Sequence, residues 1–328
     1  MIWNVLFLAV GFYLLLRAAN ALVDGSAGGA KLLGIPKIVV GLTLVAFGTS
    51  APEGTVSLVS AIQGNSDVSI GNIVGSNIAN IALILGLAAL INPLQVTQAT
   101  VNKGIPLNIL ATFVLLVLGY DVFFQNQQVA FNRLTLGDGL VFLCFFIVYL
   151  YYIHADLKEG KAQEEVISKR EIKEAREPWW KLLLMVIIGL VGVIAGGKLV
   201  VDNAVIIAAN LGVSDAVIAL TIIAIGTSLP ELATSIVAAY KRENDLAIGN
   251  IIGSNVFNVF LVLGLSSTAS TINFNTQLVP DMLVMLVVVL LLFLFVYKER
   301  VLKKWHGMVL LFSYCAYLFF LVSRELYF

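Results

Sequence analysis

Two glutamates lie in the middle of long apolar stretches, each as the last residue of a six-residue motif. The motif GTSAPE ends at Glu53 and the motif GTSLPE ends at Glu231. Hydroxyl side chains stand three and four residues before each acid, on the same helical face: Thr49 and Ser50 in the first motif, Thr227 and Ser228 in the second. An ionised carboxylate in hydrocarbon costs at least about 3 kcal/mol and needs a compensating charge. The pattern predicts that a cation binds between these oxygens.

Each motif also contains a proline that interrupts the helix around it. Pro52 and Pro230 lack the main-chain N–H that a helix interior requires, and their rings clash with the carbonyl four residues back. We therefore expect the helix to kink or open around Gly48 and Gly226, with carbonyls of residues 46–49 and 224–227 free to face a cavity. Such carbonyls are natural ligands for Na⁺ or Ca²⁺.

A second motif also occurs twice, as GNIVGSNIAN over 71–80 and GNIIGSNVFN over 249–258. Asn72, Ser76 and Asn80 recur every four residues and form a polar stripe, and neutral oxygens suit a hard cation beside carboxylates. Asn and Ser side chains also link membrane helices to one another. Both interpretations stay open for four asparagines of the two copies: Asn72, Asn77, Asn250 and Asn255.

Both pairs of motifs belong to one internal duplication. Residues 24–86 align without a gap with residues 202–264, and 28 of these 63 positions are identical. If each half has five helices, the second copy enters the membrane upside down relative to the first. Inverted repeats of this kind place a binding site near the midplane of a transporter.

The elements that must position these residues are apolar helices, because 59% of the 328 residues are apolar and 12% are charged. Ten stretches are long enough to span a membrane: about 2–24, 37–64, 68–91, 104–121, 136–154, 179–203, 212–241, 245–268, 280–297 and 304–325. The predicted fold is an all-α integral membrane protein with ten transmembrane helices as two inverted five-helix repeats. Residues 1–155 form the first repeat, 156–178 a charged cytoplasmic linker and 179–328 the second repeat.

The distribution of basic residues predicts the orientation in the membrane. With ten helices and both termini outside, the cytoplasmic loops hold sixteen of the twenty Lys and Arg residues, against only Arg133 and Arg324 in the external loops. A formal net charge of zero gives no indication of a nucleic-acid partner. We expect a multi-pass protein of the plasma membrane that functions as a monomer in the lipid bilayer.

The two ordered pairs of motifs resemble the paired repeats of the cation/calcium exchanger superfamily, which includes the sodium/calcium exchangers, and the length resembles the compact prokaryotic members. The resemblance implies that Ca²⁺ and Na⁺ are transported and that no cofactor is needed. It implies a central calcium site from the carboxylates of Glu53 and Glu231 and the carbonyls of Thr49 and Thr227, completed by Asn80 and Asn258. It also implies flanking sodium sites that use Ala46, Ser50 and Ser76 in one half and Ala224, Ser228 and Ser254 in the other.

The predicted function is an antiporter that exchanges sodium for calcium by alternating access. The alternative is a proton-coupled calcium or cation exchanger, because a buried pair of glutamates can exchange Ca²⁺ for protons. A channel is disfavoured, since two facing carboxylates would hold Ca²⁺ rather than pass it quickly. An intramembrane hydrolase is disfavoured as well, because His154 and His306 lie outside the duplicated motifs. We expect no enzymatic activity.

Overall fold

The computed structural model describes residues 1–120, 132–171, 177–212 and 224–327. Within this part of the chain, eight helices are long and apolar enough to cross a membrane, and a bent pair of shorter helices makes a ninth span if the pair counts as one. The remaining predicted stretch, 212–241, lies partly outside the described residues. The described part of the chain is mostly helical and apolar, as an integral membrane protein requires.

Eleven helices are labelled in chain order. They are α1 Ile2–Leu33, α2 Lys37–Thr49, α3 Ala51–Ile62, α4 Ser66–Ile91, α5 Thr100–Gly119, α6 Leu136–Glu171, α7 Trp179–Asn210, α8 Leu229–Tyr240, α9 Asn244–Ala269, α10 Thr276–Tyr297 and α11 Lys304–Tyr327. A single helical turn, Ala224–Gly226, precedes α8. The helices α4 and α9 are the most buried of the long helices, so they form the centre of the molecule.

Several helices extend beyond the apolar stretches that predict them. The first runs to Leu33 rather than residue 24, and it ends at Gly34, whose φ of 60° is the left-handed conformation that favours glycine. The sixth runs to Glu171, so the predicted linker begins inside a helix. Hydropathy marks the part of a helix that contacts apolar surroundings, and a helix can continue past it into the polar interface.

The kink predicted from Pro52 is present. The axes of α2 and α3 differ by 48°, and the break falls at Ser50, two residues after Gly48. Pro52 occupies the first turn of α3, where its missing N–H would have had no partner within that helix. In the second half, Thr227 and Ser228 separate the turn Ala224–Gly226 from α8 in the same way.

In the described part of the chain, four helices contain a short stretch of π-helix, and two of these stretches lie at equivalent positions of the duplication. Ala79–Leu85 in α4 and Phe257–Leu263 in α9 are 178 residues apart, and they contain Asn80 and Asn258. A π-helical turn widens the helix and rotates the side chains that follow it, and such turns occur frequently at functional sites. The periodicity of the sequence did not predict these turns.

Two small antiparallel ribbons connect the halves. The strand β1, Leu94–Gln95, follows α4 and pairs with β4, Val301–Leu302, which precedes α11. Conversely, β3, Ile272–Phe274, follows α9 and pairs with β2, Asn132–Leu134, which precedes α6. In each half, the strand before the last helix therefore pairs with a strand of the other half. The two halves are interleaved at these ribbons.

Two ion pairs join the first half to the loop between α8 and α9. The Lys37 ammonium, at the start of α2, lies 2.7 Å from a carboxylate oxygen of Glu243. The Lys241 ammonium lies 2.7 Å from a carboxylate oxygen of Asp24 on α1. These four groups are partly exposed, so each pair contributes modestly, on the order of 0.5 kcal/mol.

A hydrogen bond from Tyr149 supports the π-helical part of α2. The Tyr149 hydroxyl donates to the main-chain oxygen of Leu42 over 2.6 Å, in a buried position within the π-helical segment Gly41–Val45. We expect Tyr149→Phe to destabilise the protein by about 1 kcal/mol, because it leaves this carbonyl without its donor. The midpoint of thermal unfolding in detergent measures this loss. Tyr152→Phe, on an exposed ring of the same helix, is the control, and equal midpoints for the two variants would contradict the prediction.

Candidate cation-binding site

The two acids of the duplicated motif occupy equivalent places at the ends of broken helices. Glu53 lies in the first turn of α3 and Glu231 in the first turn of α8. Both residues are fully buried, with 0% relative exposure. Free main-chain N–H groups at a helix N-terminus stabilise a negative charge, so the break provides part of the compensation that each carboxylate needs.

Each carboxylate accepts a hydrogen bond from the other half. The Ser50 hydroxyl donates to Oε1 of Glu231 over 3.0 Å, and the Ser228 hydroxyl donates to Oε1 of Glu53 over 3.2 Å. Ser254 adds a longer contact of 3.5 Å to Oε1 of Glu231. The duplicated motifs therefore meet at one place, which needs positive charge.

Five buried oxygens of the duplicated motifs lack a hydrogen-bond partner among the described residues: Oε2 of Glu53, Oε2 of Glu231, Oγ of Ser76, Oδ1 of Asn80 and Oδ1 of Asn258. Buried polar atoms without a partner are rare and cost about 1–3 kcal/mol each. Four of the five are carboxylate or amide oxygens, which only accept hydrogen bonds or coordinate cations. All five belong to the duplicated motifs, whose two halves meet at Glu53 and Glu231, and this indicates a cation site.

The donor chemistry favours a hard cation. Among the described residues, no group of three or more His, Cys, Asp or Glu side chains could hold a metal ion. The site therefore combines two carboxylates with neutral oxygens from amides and hydroxyls. Ca²⁺ and Na⁺ accept such ligands, whereas zinc sites generally use several imidazole or thiolate groups.

The two threonines of the predicted site bond asparagines of the second motif. The Thr49 hydroxyl is fully buried and bonds Oδ1 of Asn250 over 3.1 Å, while the half-buried Thr227 hydroxyl reaches Oδ1 of Asn72 over 3.4 Å. Ala224 belongs to the helical turn before α8, and its side chain lies outside the described set.

The prediction of a free carbonyl is wrong for Ala46 in one respect. Its main-chain oxygen accepts the N–H of Ser50 over 3.0 Å, because α2 continues through Thr49 before it breaks. The Thr49 and Ser254 hydroxyls also approach this oxygen, at 3.4 and 3.5 Å. A carbonyl has two lone pairs, so the main-chain bond leaves one available to a cation or a hydroxyl.

The asparagines of the second duplicated motif have two different roles. Asn72 donates to Ser57 over 2.9 Å, and Asn250 donates to Ser235 over 3.0 Å, so these asparagines link neighbouring helices within a half, in addition to their contacts with Thr227 and Thr49 of the other half. Our sequence reasoning did not single out the two serines as partners. Their identity at equivalent positions of the duplication was the available signal.

Asn77 and Asn255 instead bond each other across the halves and also accept the amides of Asn258 and Asn80. Each of these contacts has its counterpart 178 residues away. The site is therefore built from both halves on equivalent terms.

The chain is similar over nearly its whole length to known membrane proteins. The family model described as sodium/calcium exchanger protein matches residues 3–154 and 181–323. The sodium/calcium exchanger MaX1 of Methanosarcina acetivorans is 32% identical, with 96% of this chain and 97% of that protein covered. The inner membrane protein YrbG of Escherichia coli is 36% identical over 79% of this chain and 77% of its own length.

The structure superposes on that of the sodium-calcium exchanger NCX_Mj, with a TM-score of 0.80 and 32% sequence identity over 96% of this chain and 97% of NCX_Mj. Family model, relatives and fold all point to the same group of membrane transporters, which are not enzymes. The chain belongs to the sodium/calcium exchanger family.

Proposed function

We propose that this protein is a secondary active antiporter that exchanges Na⁺ for Ca²⁺ across the cell membrane by alternating access. The observation that carries the proposal is the pair of fully buried carboxylates, Glu53 and Glu231, each with one oxygen that lacks a hydrogen-bond partner among the described residues. Two negative charges are compensated either by one Ca²⁺ or by Na⁺ ions. Exclusive occupancy of this kind couples the two fluxes.

The proposed ligand set is the one that membership of the sodium/calcium exchanger family implies. The carboxylates of Glu53 and Glu231, the amide oxygens of Asn80 and Asn258 and the carbonyls of Thr49 and Thr227 hold calcium. Sodium uses the flanking oxygens of both halves: Ala46, Ser50 and Ser76 in the first, Ala224, Ser228 and Ser254 in the second. The unpartnered oxygens of Ser76, Asn80 and Asn258 support this assignment.

The proposed architecture is ten transmembrane helices as two inverted repeats, 1–155 and 179–328, joined by the cytoplasmic linker 156–178, with both termini outside. The reciprocal strand pairs and the reciprocal Ser–Glu bonds support a two-fold relation between the repeats. An odd number of helices per repeat gives the two halves opposite directions in the bilayer, and a site on their common axis can be reached from either face in turn. We propose a functional monomer, because one chain supplies both halves of the site.

The first experiment is calcium uptake into liposomes that contain the purified protein. Sodium-loaded liposomes are diluted into sodium-free medium that contains Ca²⁺, and a matched set carries a pH gradient without sodium. Uptake that requires the outward sodium gradient is expected. Uptake driven only by the pH gradient would replace this proposal with a proton-coupled calcium exchanger. Calcium entry without any counter-ion gradient would indicate a channel.

The two ion pairs at the α8–α9 loop give a prediction about alternating access. Lys241 and Glu243 correspond in the first half to the uncharged Gln63 and Asn65. We therefore expect Lys241→Gln combined with Glu243→Asn to favour the state that is open on this face, which we propose is cytoplasmic. Loss of about 1 kcal/mol changes the equilibrium about fivefold. The apparent affinity for Ca²⁺ should rise on this face and fall on the opposite face.

Calcium uptake in vesicles of each orientation measures the two affinities. The control is Lys198→Gln, because the exposed pair of Lys198 and Asp202 lies within α7 and connects no two helices. Affinities that stay equal to those of the native protein, or that move in the same direction on both faces, would contradict a role of these pairs in keeping one face closed.

A further inference from the structure

Asn77 and Asn255 lie at equivalent positions where α4 crosses α9, and neither was assigned a role in ion binding above. Both are buried, with relative exposures of 0% and 2%. The Asn77 Nδ2 donates to the main-chain oxygen of Asn255 over 3.2 Å, and the Asn255 Nδ2 donates to the main-chain oxygen of Asn77 over 3.3 Å. The two amides thus hold the crossing point from both sides.

These bonds dictate which way each amide faces. A main-chain carbonyl is only an acceptor, so the NH₂ group of Asn77 must point to Asn255 and its Oδ1 must point elsewhere. That Oδ1 accepts the Nδ2 of Asn258 over 3.0 Å. In the same way, Oδ1 of Asn255 accepts the Nδ2 of Asn80 over 2.9 Å. The main-chain oxygen thus determines the orientation of the first amide, and the first amide determines the orientation of the second.

The consequence falls on the candidate cation site. Because Asn80 and Asn258 use their NH₂ groups for these bonds, each presents its Oδ1 on the opposite side of the amide. Both Oδ1 atoms are buried and lack a hydrogen-bond partner among the described residues. A reversed amide would direct a hydrogen-bond donor toward the cation in place of an acceptor and would repel it.

We propose that Asn77 and Asn255 are positioning residues for calcium binding, which hold the amides of Asn258 and Asn80 with their oxygens toward the ion. The proposal rests on the function proposed above. Each residue acts across the halves, since Asn77 orients Asn258 and Asn255 orients Asn80. Groups that orient the ligands of a metal ion commonly change its affinity by about 10–100-fold when they are removed.

Substitution by alanine tests the Asn77–Asn258 bond separately from the Asn255–Asn80 bond. Asn77→Ala removes the acceptor for Asn258 but keeps the main-chain oxygen that receives the Asn255 amide, so the orientation of Asn80 is retained. We expect Asn77→Ala to weaken calcium binding about tenfold in the native background. Added to Asn258→Ala it should weaken binding less than about twofold, because the amide it orients is already gone. Added to Asn80→Ala it should again weaken binding about tenfold.

The measurement is direct calcium binding by titration calorimetry on purified protein in sodium-free detergent, which requires no transport. The reciprocal cycle combines Asn255→Ala with Asn80→Ala and with Asn258→Ala, and the midpoint of thermal unfolding without calcium reports stability. The proposal would be overturned if Asn77→Ala or Asn255→Ala lowered the calcium affinity by the same factor in the Asn80→Ala and the Asn258→Ala backgrounds. A lowered unfolding midpoint with unchanged calcium affinity would do the same, because both outcomes describe a packing role.

Two further results have defined meanings. If Asn77→Ala and Asn255→Ala both fail to fold while Asn80→Ala and Asn258→Ala fold, the crossing asparagines are structural and the proposal is wrong. If the native protein itself does not bind calcium, the proposed function fails, which is distinct from failure of the positioning role.

Discussion

Glu53→Gln and Glu231→Gln are each expected to reduce sodium-driven calcium uptake to the level of protein-free liposomes. Glutamine keeps the shape of the side chain and one oxygen but removes one of the two charges that compensate the ion. Two unit charges 4 Å apart attract by about 4 kcal/mol at an effective dielectric constant of about 20, and the attraction to a divalent ion is larger. A loss of about 4 kcal/mol corresponds to roughly a thousandfold weaker binding.

The same variants should remain folded. Removal of a buried charge relieves the cost of burying it, so we expect the midpoint of thermal unfolding without calcium to be unchanged or higher. The increase of this midpoint on addition of calcium should disappear. Glu299→Gln is the matched control, because Glu299 is an exposed acid that pairs with Lys303 outside the helices of the site. Native uptake in either site variant would contradict the central role of the carboxylates.

Gly253→Ala is expected to lower both stability and transport strongly. A Cβ atom at Gly253 would lie 2.7 Å from the carbonyl oxygen of Leu42 and 2.7 Å from the Cβ of Ala46. The oxygen belongs to the backbone of α2, so it cannot rotate away and α2 must separate from α9. Overpacking of this kind costs about 1–3 kcal/mol. Because Ala46 and Ser254 meet at the same contact, transport should fall together with stability.

Thermal unfolding in detergent and calcium uptake in liposomes measure the two effects of Gly253→Ala. Gly197→Ala is the control for the loss of a helical glycine. A Cβ at Gly197 would make ordinary contacts, the nearest at 3.5 Å to the ring of Pro230, and alanine favours the helix. We expect this variant to be as stable as the native protein or more stable. A Gly253→Ala variant with native stability and uptake would show that α2 and α9 can separate without cost.

The residues of the site could be named from the sequence because the duplication repeats them at a constant offset. Glu53 and Glu231 stood out as acids in apolar surroundings, and Pro52 predicted the break that the structure contains at Ser50. The sequence could not reveal that Ser50 bonds Glu231 instead of the acid in its own motif. A pattern of spacing describes one helix face, whereas this bond joins two helices far apart in the chain.

For the asparagines of the second motif as well, the sequence predicted the residues and only the structure showed their partners. Spacing of four residues placed Asn72, Ser76 and Asn80 on one stripe, and for Asn72 it left open whether the side chain binds an ion or links helices. The structure gives Asn72 and Asn80 different partners. Asn72 donates to Ser57 in its own half and accepts the Thr227 hydroxyl of the other half, whereas Asn80 donates to Asn255 of the other half. The packing of the neighbouring helices decides which partners these asparagines have, and no residue type in the motif requires those partners.

The sequence by itself determined the class of protein, the duplicated motifs and the chemical types that meet at the site. A run of about 20 apolar residues and an acid within that run are both local features of the sequence. The first indicates a membrane span, and the second indicates a functional site because a charge in hydrocarbon is costly. Only the tertiary structure decided which oxygens converge without partners and which asparagines turn the others toward them. These features depend on contacts between residues about 178 positions apart, and their geometry exists only once the two halves have packed together.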